Sequence, residues 1–182
     1  MLEYIASLVT SEPNLISASA LSFAAFIGEV IAPLPSPLLI IGAAFFIKAS
    51  FSWHLFYKVI FYVVLPLTLG STIGATVIYF IAYFGGKPAI EKLNKYLRIS
   101  WNDIERFEQR LSRRKFDVLI LFISRMLPLV PTTIGNIVSG IIRMNPVYYI
   151  AVTFVGIFLR ILLLLFIFYF FGQTIFLPLF NL

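Results

Sequence analysis

Phe26-Ile27-Gly28-Glu29 runs on to Pro33 and Pro35, and Phe122-Ile123-Ser124-Arg125 runs on to Pro128 and Pro131; the Phe, Ile, charged residue and second proline recur at an offset of 96 residues, the first proline at 95. One copy carries an acid and the other a base, each inside an apolar stretch. A charge in hydrocarbon costs roughly 2.5–3.5 kcal/mol even on insertion scales, so such a residue reads as functional and in need of a partner. The repeat predicts a duplicated membrane device that sets opposite charges near each other.

Composition bounds the class. Of 182 residues, 60% are hydrophobic and only 12% charged, too few to cover a soluble globule, so the chain reads as an integral membrane protein. Residues 59–86 and 161–182 contain no Asp, Glu, Lys or Arg, and about 20 apolar residues suffice to cross a bilayer. Residues 13–28 are also free of ionisable groups, but no basic segment precedes them and Glu29 with its prolines follows. They read as retained structure rather than a cleaved signal. With no cysteine there is no disulfide framework, thiol nucleophile or thiolate metal site.

Charge is unevenly placed. Nine of the fourteen Lys and Arg residues fall between Lys87 and Lys115. Lys and Arg accumulate on the cytoplasmic side close to membrane ends, so this segment is expected to face the cytoplasm of a multi-pass plasma-membrane protein. It reads as a solvated connector touching anionic headgroups, with no nucleic acid as partner.

Proline placement separates spans from broken helices. Residues 14–31 are helical by composition, then Pro33, Pro35 and Pro37 stop any helix, because each ring removes a donor and clashes with the preceding turn. Residues 38–47 are apolar but too short to cross alone. Such a pattern predicts a re-entrant hairpin, tolerated at membrane depth where protein or a watery cavity satisfies the freed backbone. The second copy has arms at 117–127 and 134–143, with the break from Pro128 to Thr133. Long apolar helices follow, 53–84 with a proline at Pro66, and 146–172 after Asn145-Pro146.

The expected fold is thus an all-α integral membrane protein, an inverted repeat of re-entrant helical hairpin plus long transmembrane helix, with an interfacial amphipathic helical linker. One hairpin plus one span crosses the membrane an odd number of times, so successive copies point in opposite directions. The divisions are a leader (1–13), a first repeat (14–86), a linker (87–116), a second repeat (117–172) and a tail (173–182). In the linker Ile90, Leu93 and Leu97 make one apolar face and Ile104, Phe107 and Leu111 another, with Ser100 and Asp103 as a capping box.

Each polar feature has a bland reading beside the functional one. Glu29 either satisfies backbone opened by Pro33 or works as a titratable group; Arg125 is a fixed positive charge suited to a carboxylate or a phosphate oxygen. In the functional reading a headgroup phosphate displaces Glu29 from Arg125, and Glu29 takes up a proton. Arg160, deep in the last apolar run, is either a snorkelling residue or a second anion contact. Thr132, Thr133 and Asn136 either contact a headgroup or satisfy broken backbone. Lys48 and Arg143 read as interfacial anchors, and Gly70 with Gly74 as a helix-packing face of the GxxxG type. His54 is the only histidine and has no acid at ligand spacing, so neither a metal nor any other cofactor is expected. No catalytic serine motif is present, and the chain is expected not to be an enzyme.

These residues resemble the DedA family, relatives of the VTT-domain (SNARE-associated Golgi) membrane proteins, over residues 22–172. The likeness rests on Glu29 before Pro33-Leu34-Pro35-Ser36, Gly42-Ala43-Ala44, Gly70 and Gly74 with Tyr79 and Gly85-Gly86, and Phe122-x-x-Arg125-x-x-Pro128 with Gly140 and Gly156. It implies a flippase or scramblase for an anionic lipid such as a polyprenyl phosphate or phospholipid, with membrane lipids and protons as partners. The family often places an acid where this chain has Pro37 and a second Arg where it has Pro131. Losing both leaves no unpaired charge, so one pair, Glu29 with Arg125, is expected to remain. The alternatives are a proton- or cation-coupled small-solute antiporter and a non-transporting membrane assembly protein; a homo-oligomer stays open.

The lack of cysteine makes inversion testable without background. Single cysteines at Ser36 and Thr132 should react with membrane-impermeant reagents from opposite sides of the membrane, and reaction of both from one side refutes the inverted repeat.

Overall fold

A computed structural model describes residues 15–31, 53–97, 106, 117–127 and 132–171, and these are almost wholly helical. Helix α1 spans Leu15–Ile31. Helix α2, Trp53–Val59, continues through a π-helical turn at Ile60–Val64 into α3, Leu65–Leu97. Helices α4 (Asp117–Met126) and α5 (Thr132–Ile141) precede α6 (Pro146–Phe171). Pro33, Pro35, Pro37, Pro128, Pro131, Lys48, the arm at 38–47, the second linker helix, the leader and the tail from 172 lie outside the described residues.

Local chemistry accounts for the boundaries. Pro66 cannot donate to a helix and would press on the carbonyl one turn back. The wide turn before it, closed by Leu65 N–H donating to Ile60 O, makes room. At the other end Gly86 adopts φ +56°, a left-handed break that few side chains tolerate, and the helix resumes in a new direction through Pro88. The long span therefore ends where Gly85-Gly86 was expected to end it, while helix continues to Leu97 in the linker. Asn145 caps α6 through its side-chain oxygen, which accepts from Val147 N at 2.9 Å, and Pro146 takes the first helical position. Arg143, read from sequence as an anchor, ends α5 at φ +52° and lies over the Tyr83 ring, 6.0 Å from its centroid.

Contacts fix the helix directions. Along α1 and α3 residue numbers rise together, Ser22 against Gly70 and Glu29 against Gly74, so these helices run parallel. Leu121 packs with Tyr149 and Arg125 lies against Gly156, so α4 and α6 are parallel too. By contrast α3 and α6 are antiparallel: Tyr79 stacks on Tyr149 at 4.2 Å, while Val59, Val63 and Leu67 cluster with Ile157, Ile161 and Leu165. Helices α4 and α5 form a hairpin, with Arg125 bonded to Thr132 near the tip and Leu121 against Gly135 further down. The second break is shorter than expected. Thr132 and Thr133 form the first turn of α5 rather than the end of the loop, in keeping with the preference for proline just ahead of a helix.

Two helical stretches, Phe56–Gly86 and Pro146–Ile167, are long and apolar enough to cross a bilayer. Their outward faces carry exposed Phe61, Ile73, Phe84, Val147, Val155 and Phe166, an apolar exterior suited to lipid. Trp53 and Tyr57 are exposed at the start of the first, where an aromatic belt sits. Inside, Thr68, Thr72 and Thr76 each donate at 2.7 Å to the carbonyl four residues back, which satisfies hydroxyls that hydrocarbon would leave stranded.

Close approach depends on glycine. A Cβ on Gly140 would sit 2.5 Å from Tyr79 O and 2.9 Å from Tyr83 N; one on Gly70 would strike the Ser22 carbonyl; one on Gly28 would meet nothing within 4 Å. Backbone cannot yield as a side-chain tip can, so Gly70→Ala and Gly140→Ala should each destabilise by about 1–3 kcal/mol. Gly28→Ala should leave the melting temperature level or higher, since alanine favours helix by about 1 kcal/mol. Thermal unfolding in detergent micelles reads all three.

Candidate functional site

Arg125 is the largest side chain with no exposed surface. It sits in the last turn of α4, and α6 meets it at Gly156, where a Cβ would fall 2.5 Å from Arg125 Cβ. Its guanidinium is held by neutral groups. Nη1 donates to Thr132 O at 2.9 Å; Nη2 donates to Asn136 Oδ1 and, at 3.2 Å, to Tyr149 Oη. Asn136 also has no exposed surface, and Ile137 and Val138 beside it pack with Ile78 and Ala82 of α3.

Glu29 reaches this cluster through Asn136, whose Nδ2 donates to Glu29 Oε1 at 3.3 Å. The acid and the base are therefore bridged by one carboxamide, not joined in the direct ion pair that the sequence suggested. The amide suits the place because its oxygen takes the cation's hydrogen and its nitrogen serves the carboxylate. A neutral bridge also keeps the carboxylate half-buried near α1 rather than in the dry centre where Arg125 lies.

The two charged residues occupy matching settings. A Cβ on Gly74 of α3 would fall 3.0 Å from Glu29 Cβ and 3.0 Å from Phe26 O. One on Gly156 of α6 would fall 2.5 Å from Arg125 Cβ and 3.5 Å from Phe122 O. The repeated Phe-Ile-x-charge unit thus meets a glycine of the following long helix in both copies. Gly74 and Gly156 both lie near the middle of their apolar spans.

Tyr149 completes the cluster and was missed in the sequence. Its hydroxyl lies 3.1 Å from Ala75 O and 2.6 Å from Asn136 Oδ1 and donates its one proton to either of them, while it accepts from Arg125. The signal lay in spacing: Tyr149, Thr153, Gly156 and Arg160 fall on one face of α6. Tyr79 pins the same region, stacking on Tyr149 and donating to Met144 O. Arg160 is half-buried on that face and feels the charges of both Glu29 and Arg125. Thr132 contributes its carbonyl, while Thr133 is buried one turn from Asn136. Gly70 and Gly74 face α1.

Among the described residues no group of three or more His, Asp or Glu side chains is placed to hold a metal ion. Neither a curated protein nor a solved structure matches the chain significantly. A family model described as the VTT domain matches residues 34–170, from beyond the first charged helix to the last turn of α6. That span, together with two helices fit to cross a bilayer, makes this a membrane protein that belongs to the VTT-domain family, the domain of the DedA proteins.

Proposed function

We propose that this protein is a lipid transporter, a flippase or scramblase that moves an anionic lipid such as a polyprenyl phosphate or a phospholipid between leaflets of the plasma membrane. The observation that carries this reading is the charge of the buried site. Arg125 and Arg160 both act there against a single acid, Glu29. No Asp or Glu occurs in residues 13–28, 30–86 or 118–182. A site with two cations to one carboxylate favours an anion, and it disfavours the cation antiporter that the sequence also allowed.

The inverted repeat is the architectural part of the proposal. Parallel α1 and α3 in one unit, parallel α4 and α6 in the other, and antiparallel α3 and α6 between them support two copies of opposite direction. Re-entrance is supported by length. Ten-residue arms such as α4 and α5 reach about 15 Å, half of a 30 Å hydrocarbon core. In the first unit α1 ends beside Gly74, about 30 Å along the helix from Trp53, so the end of α1 and the start of α2 lie at opposite ends of that stretch. Transporters of inverted design place their site at the repeat interface near the midplane, built from interrupted helices.

In this mechanism a headgroup phosphate approaches Arg160, the more exposed of the two cations, and competes with Glu29 for the positive centre while the acyl tails stay in lipid. Glu29 is the one negative charge set against the two cations, so removing its charge takes the site from +1 to +2 and favours an anionic headgroup. Bidentate guanidinium geometry suits phosphate oxygens.

Flipping of a fluorescent anionic lipid in reconstituted vesicles tests it. Arg160→Gln should cut the rate at least about tenfold, equivalent to about 1.4 kcal/mol. Glu29→Gln removes the competing carboxylate and should change the rate at least about threefold. Arg125→Gln should abolish flipping, with circular dichroism reporting whether the helices remain. Wild-type rates in Arg160→Gln and Glu29→Gln would defeat the transport reading of this site.

A further inference from the structure

Four buried side-chain atoms have no hydrogen-bond partner among the described residues: Arg125 Nε, Thr133 Oγ1, Ser139 Oγ and Thr153 Oγ1. Their residues are at most 1% exposed. Two of them face the same place. The Arg125 side chain begins against Gly156 and ends at the Tyr149 hydroxyl, and the residue between those two contacts on that face of α6 is Thr153. Arg125 Nε and Thr153 Oγ1 therefore lie over one turn of helix. Thr153 Oγ1 sits near the Tyr149 hydroxyl without a hydrogen bond of good geometry.

A stranded guanidinium N–H is the costliest of these groups, because it belongs to a full charge in a dry interior. Buried polar atoms in natural proteins are almost always satisfied, and by ordered water where protein does not supply the partner. A buried water needs two to four polar neighbours. Arg125 Nε–H, Thr153 Oγ1 and Tyr149 Oη supply three.

We infer that a resident water molecule binds between Arg125, Thr153 and Tyr149, accepting from Nε–H and joining the guanidinium to the polar face of α6. The water makes Thr153 a positioning residue for Arg125. It gives Arg125 Nε–H the acceptor that the described residues do not supply. This inference stands on the packing of Arg125 and does not require that the protein move lipid.

The test is the sign of a stability change. Thr153→Val keeps the shape and deletes the hydroxyl; with a bound water it strips a partner and should lower the melting temperature by about 2–4 °C, while Thr153→Ser stays at wild type. In a dry site the same Thr153→Val removes a stranded hydroxyl, and the melting temperature holds or rises, which overturns the inference. A second readout is radiolytic hydroxyl labelling, which marks side chains beside ordered water. Tyr149 should be oxidised although it has no exposed surface, and Thr153→Val should reduce that label at least about twofold; an unlabelled wild-type Tyr149 counts against the water. Both measurements are made in phosphatidylcholine vesicles and repeated with phosphatidylglycerol added. A Thr153→Val effect that appears only with the anionic lipid would assign the oxygen to a headgroup instead and overturn the resident water. Because melting and labelling need no flipping, their outcome separates cleanly from the transport assay.

Discussion

The burial of one guanidinium governs how the helices come together. Arg125 cannot lose its charge, and in a dry interior each of its N–H groups needs an acceptor. Two helices supply acceptors for Nη1 and Nη2: α5, through the Thr132 carbonyl and the Asn136 amide one turn on, and α6, through the Tyr149 hydroxyl. Tyr149 in turn reaches Ala75 on α3, and Asn136 reaches Glu29 on α1. Five of the helices are thus tied to one cation. Removing it would leave acceptors and a carboxylate facing each other across a space shaped for a positive charge.

Around that centre, packing is by backbone contact rather than by large side chains. Apolar residues gain nothing by leaving lipid for protein, so association depends on close approach and polar bonds. Gly70, Gly74, Gly140 and Gly156 provide the approach, each at a crossing where a methyl group would collide with a neighbour. Two of them, Gly74 and Gly156, lie against the two charged residues. The same small residue that lets the helices touch also sets the depth of Glu29 and of Arg125. The link from sequence to packing to charge placement is therefore short, and it recurs in both copies of the repeat.

Much of this was legible from residue order. The 96-residue echo of Phe-Ile-x-charge located both charged residues, Pro146 and Gly85-Gly86 located the start of α6 and the end of the first long span, and GxxxG located a packing face, because each feature is local or strictly periodic. Where the reading fell short, the missing term was spatial. Opposite charges in duplicated units suggested direct contact, yet whether an amide stands between them depends on how α5 docks against α1, which no spacing records. Asn136 was read as a headgroup contact or as a partner for broken backbone, not as a bridge between the two charges. Tyr149 was overlooked because a tyrosine near a helix start reads as an interfacial residue, and only its register with Thr153, Gly156 and Arg160 aims it inward. The position of Thr132 and Thr133 in the helix rather than the loop turned on two residues of helix start, the least determined feature of any boundary.

The central claim is that Asn136 transmits the influence of Glu29 to Arg125. It is tested most directly by the stability coupling between Glu29→Gln and Arg125→Lys, measured as a double-mutant cycle of unfolding in micelles, first with Asn136 present and then in an Asn136→Ala background. The account predicts a coupling of about 1 kcal/mol or more with asparagine in place, within the range seen for networked groups, and its loss once the carboxamide is gone. An equal coupling in both backgrounds would contradict it, because the two charges would then be acting on each other without the bridge.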